Sequence, residues 1–313
     1  MKWFQIASLG FLIILSGCAS NSSNNSSQWV YPPMAVPLQA SIQQEVQIAR
    51  LNQLLKRPDL ENAVRAKMFY ERGSYYDSVG LRDLARLDFN KSLSINPAQP
   101  DIFNLLGVYF TQVGEYDAAY EAFDSTLELD PSNEYAERNM AIALYYGDRI
   151  DLSYQEMQAH YSDNPDDPFR ALWLYIIERE IDAAKAEENL RARYSDKSQE
   201  WGWVLVGIML NEVGEEQAFK AVLNGTRDNV MLAQRLTETY FYLGKRYQFS
   251  GQYADAIALY KLALSFNVYE YVEHRYSFLE LGRIYDDVRA LQEEAQKEAQ
   301  KENAIENGLT VEK

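Results

Sequence analysis

Cysteine is almost absent from this 313-residue chain: Cys18 is the sole one, so no disulfide can form within a protomer. Stability must come from packing instead. Histidine is nearly as scarce, with only His160 and His274, far apart in sequence. Gly-x-Ser-x-Gly, P-loop and HExxH patterns are all missing, which removes the common hydrolase, nucleotide-binding and zinc-protease readings. The Asp166-Asp167 pair in "NPDDP" reads as a helix-capping turn rather than a cation site. The chain is therefore expected to be non-enzymatic, without cofactor or metal. Basic residues are also in deficit, 30 Lys and Arg against 46 Asp and Glu, for a formal net charge of -16. Such a surface repels phosphate backbones and excludes nucleic acid as a partner. It also offers no polybasic handle for anionic lipid head groups.

One apolar run exists, Trp3 to Leu15, behind Lys2. About a dozen residues cannot cross a hydrocarbon core, which takes roughly 20 in a helix. A charged start, a short apolar core and small residues beyond it mark a secretory leader. The leader ends Leu15-Ser16-Gly17-Cys18, which resembles the lipobox of bacterial lipoproteins. That resemblance implies cleavage after Gly17 and acylation of Cys18, with residues 1–17 removed. Two or more acyl chains give stable anchoring where one does not. Ala19 in place of Asp implies sorting to the outer membrane. Residues 18–38 then read as the lipidated Cys followed by a tether. It is rich in Asn and Ser up to Gln28, too polar to fold, and stiffened beyond by Pro32, Pro33 and Pro37.

The middle of the chain repeats. Gly73 and Gly107, Gly80 and Gly114, Ala85 and Ala119, Phe89 and Phe123, and Pro97 and Pro131 are each one period of 34 residues apart. That is the tetratricopeptide period. A further step reaches Ala141, Met157 and Pro165, and a clear late copy carries Gly244, Gly251, Ala256, Tyr260 and Ala263. Small residues at Gly73 and Ala85 let two helices approach to about 8–10 Å. Gly80 and Gly114 permit a helix end with positive φ, and Pro97, Pro131 and Pro165 stop the second helix of each pair. Phe89 and Phe123 are expected to fill the groove against the next repeat.

The fold class predicted is all-α, a tetratricopeptide-repeat helical solenoid. Its parts are an N-terminal helical segment (39–65), three repeats (66–167), degenerate helical repeats (168–236), a further repeat (237–270) and a capping helix (271–288). A polar tail (289–313) without an apolar stripe reads as disordered. Within the first segment, Ile42, Val46, Leu51 and Leu54 fall near helical spacing. His160 falls at a packing position late in a second helix. His274 can pair with Glu270 or Glu273, in a structural role.

With no catalytic constellation, attention moves to the concave surface that first helices of such repeats present. The repeat phase places Tyr70, Ser74, Asn104, Arg138, Tyr145, Tyr146, Phe241 and Lys245 there as partner-binding residues. Tyrosine suits interfaces because it offers a large rigid area with a polar tip. It also packs repeats, and the sequence leaves that alternative open for any one of them. Tyr70 and Ser74 stand at two positions where a carboxylate-clamping repeat carries Lys or Asn, so capture of a chain terminus is not expected.

"AVPLQ", "AYEAFDSTLELDP", "DDPFRALWLY", "WGW", "FYLGK" and "VEHRY" together resemble the NlpI family of outer-membrane lipoproteins. The resemblance implies a homodimeric adaptor on the periplasmic face of the outer membrane. Its implied partners are periplasmic murein endopeptidases and a tail-specific periplasmic protease. The alternative is a lipoprotein that assists assembly of β-barrels or secretins.

Overall fold

Two glycines and two phenylalanines set the spacing of the first two helical hairpins. A Cβ on Gly73 would lie 2.6 Å from the Phe89 ring, and one on Gly107 would lie 2.5 Å from the Phe123 ring. Each ring therefore lies over the glycine of its own hairpin, which adds to the expectation that it fills the groove toward the next. Phe89 also packs against Ile102 and Leu106 of the following pair.

The protein is described by a computed structural model over residues 32–194 and 201–306, the last six by backbone alone. Gly17, Cys18, the leader and most of the tether lie outside the described residues. All that follows belongs to the unit Pro33–Lys313. Among the described residues there are fourteen helices and no strand. The first is α1 (Ile42–Leu54), followed by the hairpins α2 (Asn62–Ser78) with α3 (Arg82–Ile95) and α4 (Pro100–Gln112) with α5 (Tyr116–Leu129). Next come α6 (Glu134–Tyr146) with α7 (Ile150–Asp163) and α8 (Pro168–Ile181) with α9 (Ala183–Arg193). Then follow α10 (Trp201–Met209), α11 (Glu215–Gly225), α12 (Asn229–Phe249), α13 (Tyr253–Ser265) and α14 (Val272–Glu306). This is a tetratricopeptide-type solenoid, as the 34-residue period predicts.

The hairpin turns follow from backbone chemistry. Gly80 and Gly114 both sit at φ 80°. Beyond them Leu81 N donates to Tyr76 O and Glu115 N to Phe110 O, returning orphan carbonyls to use. The weaker third copy makes the same turn with Asp148 at φ 58°, and Arg149 N donates to Leu144 O. Asp167 caps α8, its carboxylate accepting from the Phe169 and Arg170 amides.

The closeness of α4 to α5 makes a direct test. Gly107→Leu drives four extra carbons into the Phe123 ring and is expected to cost about 1–3 kcal/mol or more. Thermal unfolding checks this, and an unchanged transition would show that the two helices do not pack through Gly107.

Three segments depart from the sequence reading. The tether was expected to run free to residue 38, but it is tied down from Pro33 onward. Tyr240 Oη donates to Pro33 O at 2.6 Å, and Leu38 N donates to Phe266 O at 2.9 Å. The Asn229 side chain bonds both Val36 N and Val36 O, at 2.8 and 2.9 Å. Proline-rich sequence needs no internal hydrogen bonds, so its backbone groups remain available for such pairing. Second, α1 is helical as expected, yet of its apolar positions only Leu51 is buried; Ile42 and Val46 face outward. Third, the polar tail continues α14 as helix to Glu306. Its Ala, Glu, Lys and Gln are strong helix formers, which sustain a helix without a buried stripe.

Candidate functional site

α14 decides what the inner surface of the solenoid can offer, because it lies against the first helices of several hairpins. Arg275 forks onto Asp77 of α2, with Nη2 to Oδ2 at 2.6 Å. Tyr146 of α6 donates to Glu280 Oε1 at 2.8 Å, and Tyr242 of α12 donates to Glu273 Oε1 at 3.0 Å. Arg283 donates to Glu180 of α8 at 3.0 Å. The groove that such repeats use for partners is thus occupied by the chain itself.

Four of the eight predicted contact residues are consequently in the core. Tyr145, Tyr146, Phe241 and Lys245 are buried, a correction to their assignment as partner-binding surface. Tyr145, Tyr146 and Lys245 meet side chains of α14, and Phe241 is packed among rings of α8, α12 and α13. Tyr145 and Tyr146 pack edge-on at 5.0 Å, and Tyr146 meets Tyr276 of α14 at 5.2 Å. Phe241 packs on Trp173, 6.0 Å between ring centres. Lys245 Nζ donates to Glu280 Oε1 at 2.9 Å and to Tyr145 Oη at 3.0 Å. Burial pulls the Lys245 ammonium below its ordinary pKa. Burial would raise Glu280, but Lys245 and Arg283 outweigh it and hold the carboxyl below its usual range.

The other four are half-buried. Tyr70 leans on Phe89 at 6.4 Å, and the Ser74 hydroxyl donates to Tyr70 O. Asn104 Oδ1 accepts from Asn139 Nδ2 at 3.1 Å, bridging neighbouring hairpins. Arg138 lies over the Tyr135 ring at 5.6 Å. It also borders a recess of about 200 Å³ shared with Phe169, Trp173, Glu238 and Glu273. The eight residues do not form one continuous surface.

The histidines are structural. His160 is buried with Nδ1 3.1 Å from Glu137 Oε2, and burial lowers its pKa. His274 bonds Leu264 O through Nε2 rather than either expected glutamate, and burial pushes it down to about 4.

A larger cleft, about 520 Å³, opens between the start of α3, the end of α4 and the first half of α14. Its walls carry Arg82, Gln112, Phe278 and Arg283, none of which the repeat phase singled out. A period of 34 finds positions within hairpins, whereas this cleft joins elements nearly two hundred residues apart. Phe278, an aromatic on the capping helix with no repeat role, was the one sequence signal available.

Residues 66–99 match the family described as tetratricopeptide repeat. The fold is similar to that of Pseudomonas aeruginosa pilF, at 19% identity and a TM-score of 0.41, covering 70% of this chain and 100% of that one. It is similar also to a tetratricopeptide repeat protein from Parabacteroides merdae ATCC 43184, at 13% identity and a TM-score of 0.45, covering 75% of this chain and 91% of that one. A third likeness is to YrrB, described as a TPR protein with an unusual peptide-binding site, at 12% identity and a TM-score of 0.40, covering 74% of this chain and 98% of that one.

Proposed function

We propose that this tetratricopeptide-type protein is a lipid-anchored, homodimeric adaptor on the periplasmic face of the outer membrane. It would hold murein endopeptidases and a tail-specific protease close together and so regulate peptidoglycan turnover. Cys18 carries the anchor in this reading, and no cofactor takes part. The sequence resemblance supports the identity of the partners. One structural observation supports docking in general: several large apolar side chains of the N-terminal segment face outward. Ile42 is 80% exposed, and Met34, Val36 and Val46 of the same segment are exposed as well. Water-facing apolar groups of this kind mark protein contacts, and these suit a second copy of the chain. Tethering two partners on one scaffold raises the effective concentration of each near the other without new chemistry.

Purification of the tagged full chain from labelled membranes tests the reading. The expected result is palmitate on the polypeptide, a particle containing two copies, and a murein endopeptidase and a protease in the eluate. Secretin or β-barrel assembly subunits in their place would overturn it in favour of an assembly factor.

A further inference from the structure

The cleft between α4 and α14 holds several unspent interactions in one place. The chain as a whole is strongly acidic, yet Arg82 on the cleft wall makes no hydrogen bond or ion pair among the described residues. Arg283 uses Nη2 on Glu180 and leaves Nη1 without a partner. Of the other charged groups lining the cleft, Asp83 accepts from Tyr109 Oη at 2.8 Å and keeps its charge, Asp286 lies 3.7 Å from Arg289, and Arg275 is paired with Asp77. Arg283 spends its charge on Glu180 and Glu280, which leaves Arg82 as the unpaired cation, and such a charge in a negative molecule favours a carboxylate.

Two backbone-related features sharpen the ligand class. Gln112 is 8% exposed, and neither its Oε1 nor its Nε2 has a partner. A buried amide left unsatisfied is costly; both atoms are closed to solvent as they stand, and a turn of the Gln112 side chain into the cleft would let a peptide bond supply the missing donor and acceptor. Only an extended segment has free amides to offer, since a helix spends its own internally. Gly282 lies inside α14 and also lines the cleft. Glycine weakens a helix interior. Gly73 and Gly107 are explained by rings pressed against them, but a Cβ on Gly282 would meet nothing within 4 Å. Glycine at such a place lets another backbone come close. Phe278 and Val113, 66% and 52% exposed, add an apolar rim. The volume lies in the range of small-ligand sites, about 300–1,000 Å³, enough for a short stretch of chain and not for a folded domain.

We infer that this cleft binds an extended internal segment of a partner protein that presents a side-chain carboxylate next to a large apolar residue. The inference rests on the adaptor reading and specifies its docking site. The carboxylate meets Arg82, the neighbouring peptide bond meets the Gln112 side chain once it turns into the cleft, the segment's backbone passes over Gly282, and the apolar side chain rests on Phe278.

The test uses eight-residue peptides, acetylated and amidated at their ends, with a central Asp-Phe, Asn-Phe or Asp-Ala in a Gly/Ser background. Fluorescence anisotropy against the full chain reads the affinity. The Asp-Phe peptide is expected to bind with a dissociation constant below about 1 mM. Loss of the charge or of the ring should weaken it by roughly tenfold. Arg82→Gln, Gln112→Leu and Gly282→Ala should each weaken it similarly. Gly282→Ala should also raise the unfolding temperature or leave it unchanged, because alanine is the better helix former. A purely structural glycine or amide would show the reverse, destabilisation with binding intact. Asp-Phe binding no tighter than Asn-Phe, or Gly282→Ala binding as the natural chain does, would overturn the assignment. Partners that co-purify equally with Gly282→Ala would also sink the cleft while leaving the adaptor standing; failure of the natural chain to retain any partner would sink the adaptor itself.

Discussion

Lys245→Met is expected to destabilise the protein by about 3–5 kcal/mol, although methionine fills the same space. Lys245 and Glu280 are 1% and 0% exposed at their side chains, with Nζ and Oε1 2.9 Å apart. Removing the ammonium leaves a carboxylate in the core, and burial now raises its pKa with less to oppose it. Tyr146 still donates to Glu280, and Arg283 is still near, but neither replaces a buried point charge in contact. The double change Lys245→Met with Glu280→Met should recover most of the loss. Two well-packed apolar side chains in place of a buried pair are often neutral or better. Denaturant unfolding of the two single variants and the double variant forms the cycle. If the double variant were as unstable as the singles, the pair would not be the source of the cost. The same pair joins α12 to α14, so the single variants should also expose α14 to proteolysis.

Stability should fall as pH rises from about 6.5 to about 8, and Glu238→Gln should flatten that fall. Burial, and then the charge of Glu273, push the Glu238 carboxyl up to about 8. Trp201 Nε1, 2.5 Å from Oε2, and Arg235 pull it the other way without prevailing. The native state therefore holds a proton that the unfolded chain, near its ordinary 4.5, has released. Stability from this group is complete below about 4.5 and is lost as pH climbs to about 8. His274 works in the opposite sense, because burial lowers it to about 4 from 6.5. Its contribution is complete above 6.5 and is lost as pH falls toward 4. The two slopes oppose each other between about 4.5 and 6.5. Above that, of these two groups only the carboxyl still titrates, at up to about 1.4 kcal/mol per pH unit. Melting temperatures from pH 5 to 8.5 check this. A flat profile above 6.5, or one equally steep in the Gln variant, would show that Glu238 is ionised in the folded state. Glu273 is raised by burial as well and adds to the same trend.

The hairpins were legible because their determinants are local. Gly80 and Gly114 take positive φ, Gly107 admits the Phe123 ring, and Asp167 caps α8, each within a few residues or one hairpin. The site was legible only in part. Asn104 and Arg138 stay at the surface between hairpins, while Lys245 and Tyr146, chosen by the same phase, are covered. Phase tells which way a side chain points from its own helix, not what stands in front of it. The extension of α14 was missed for a related reason. Looking for an apolar stripe detects packing, whereas 289–306 is helical by composition.

Composition and the 34-residue period by themselves determined the helical-hairpin solenoid, its turn residues and its acidic, cysteine-poor character, since these depend on spacings shorter than one repeat. Only the tertiary structure decided that α14 closes the inner groove, that the segment from Pro33 is clasped onto α12 and α13, and that a cleft bearing an unpaired Arg82 opens beside Gly282. Those contacts join residues from opposite ends of the chain, where no periodic spacing exists to announce them and burial free energy chooses the partner.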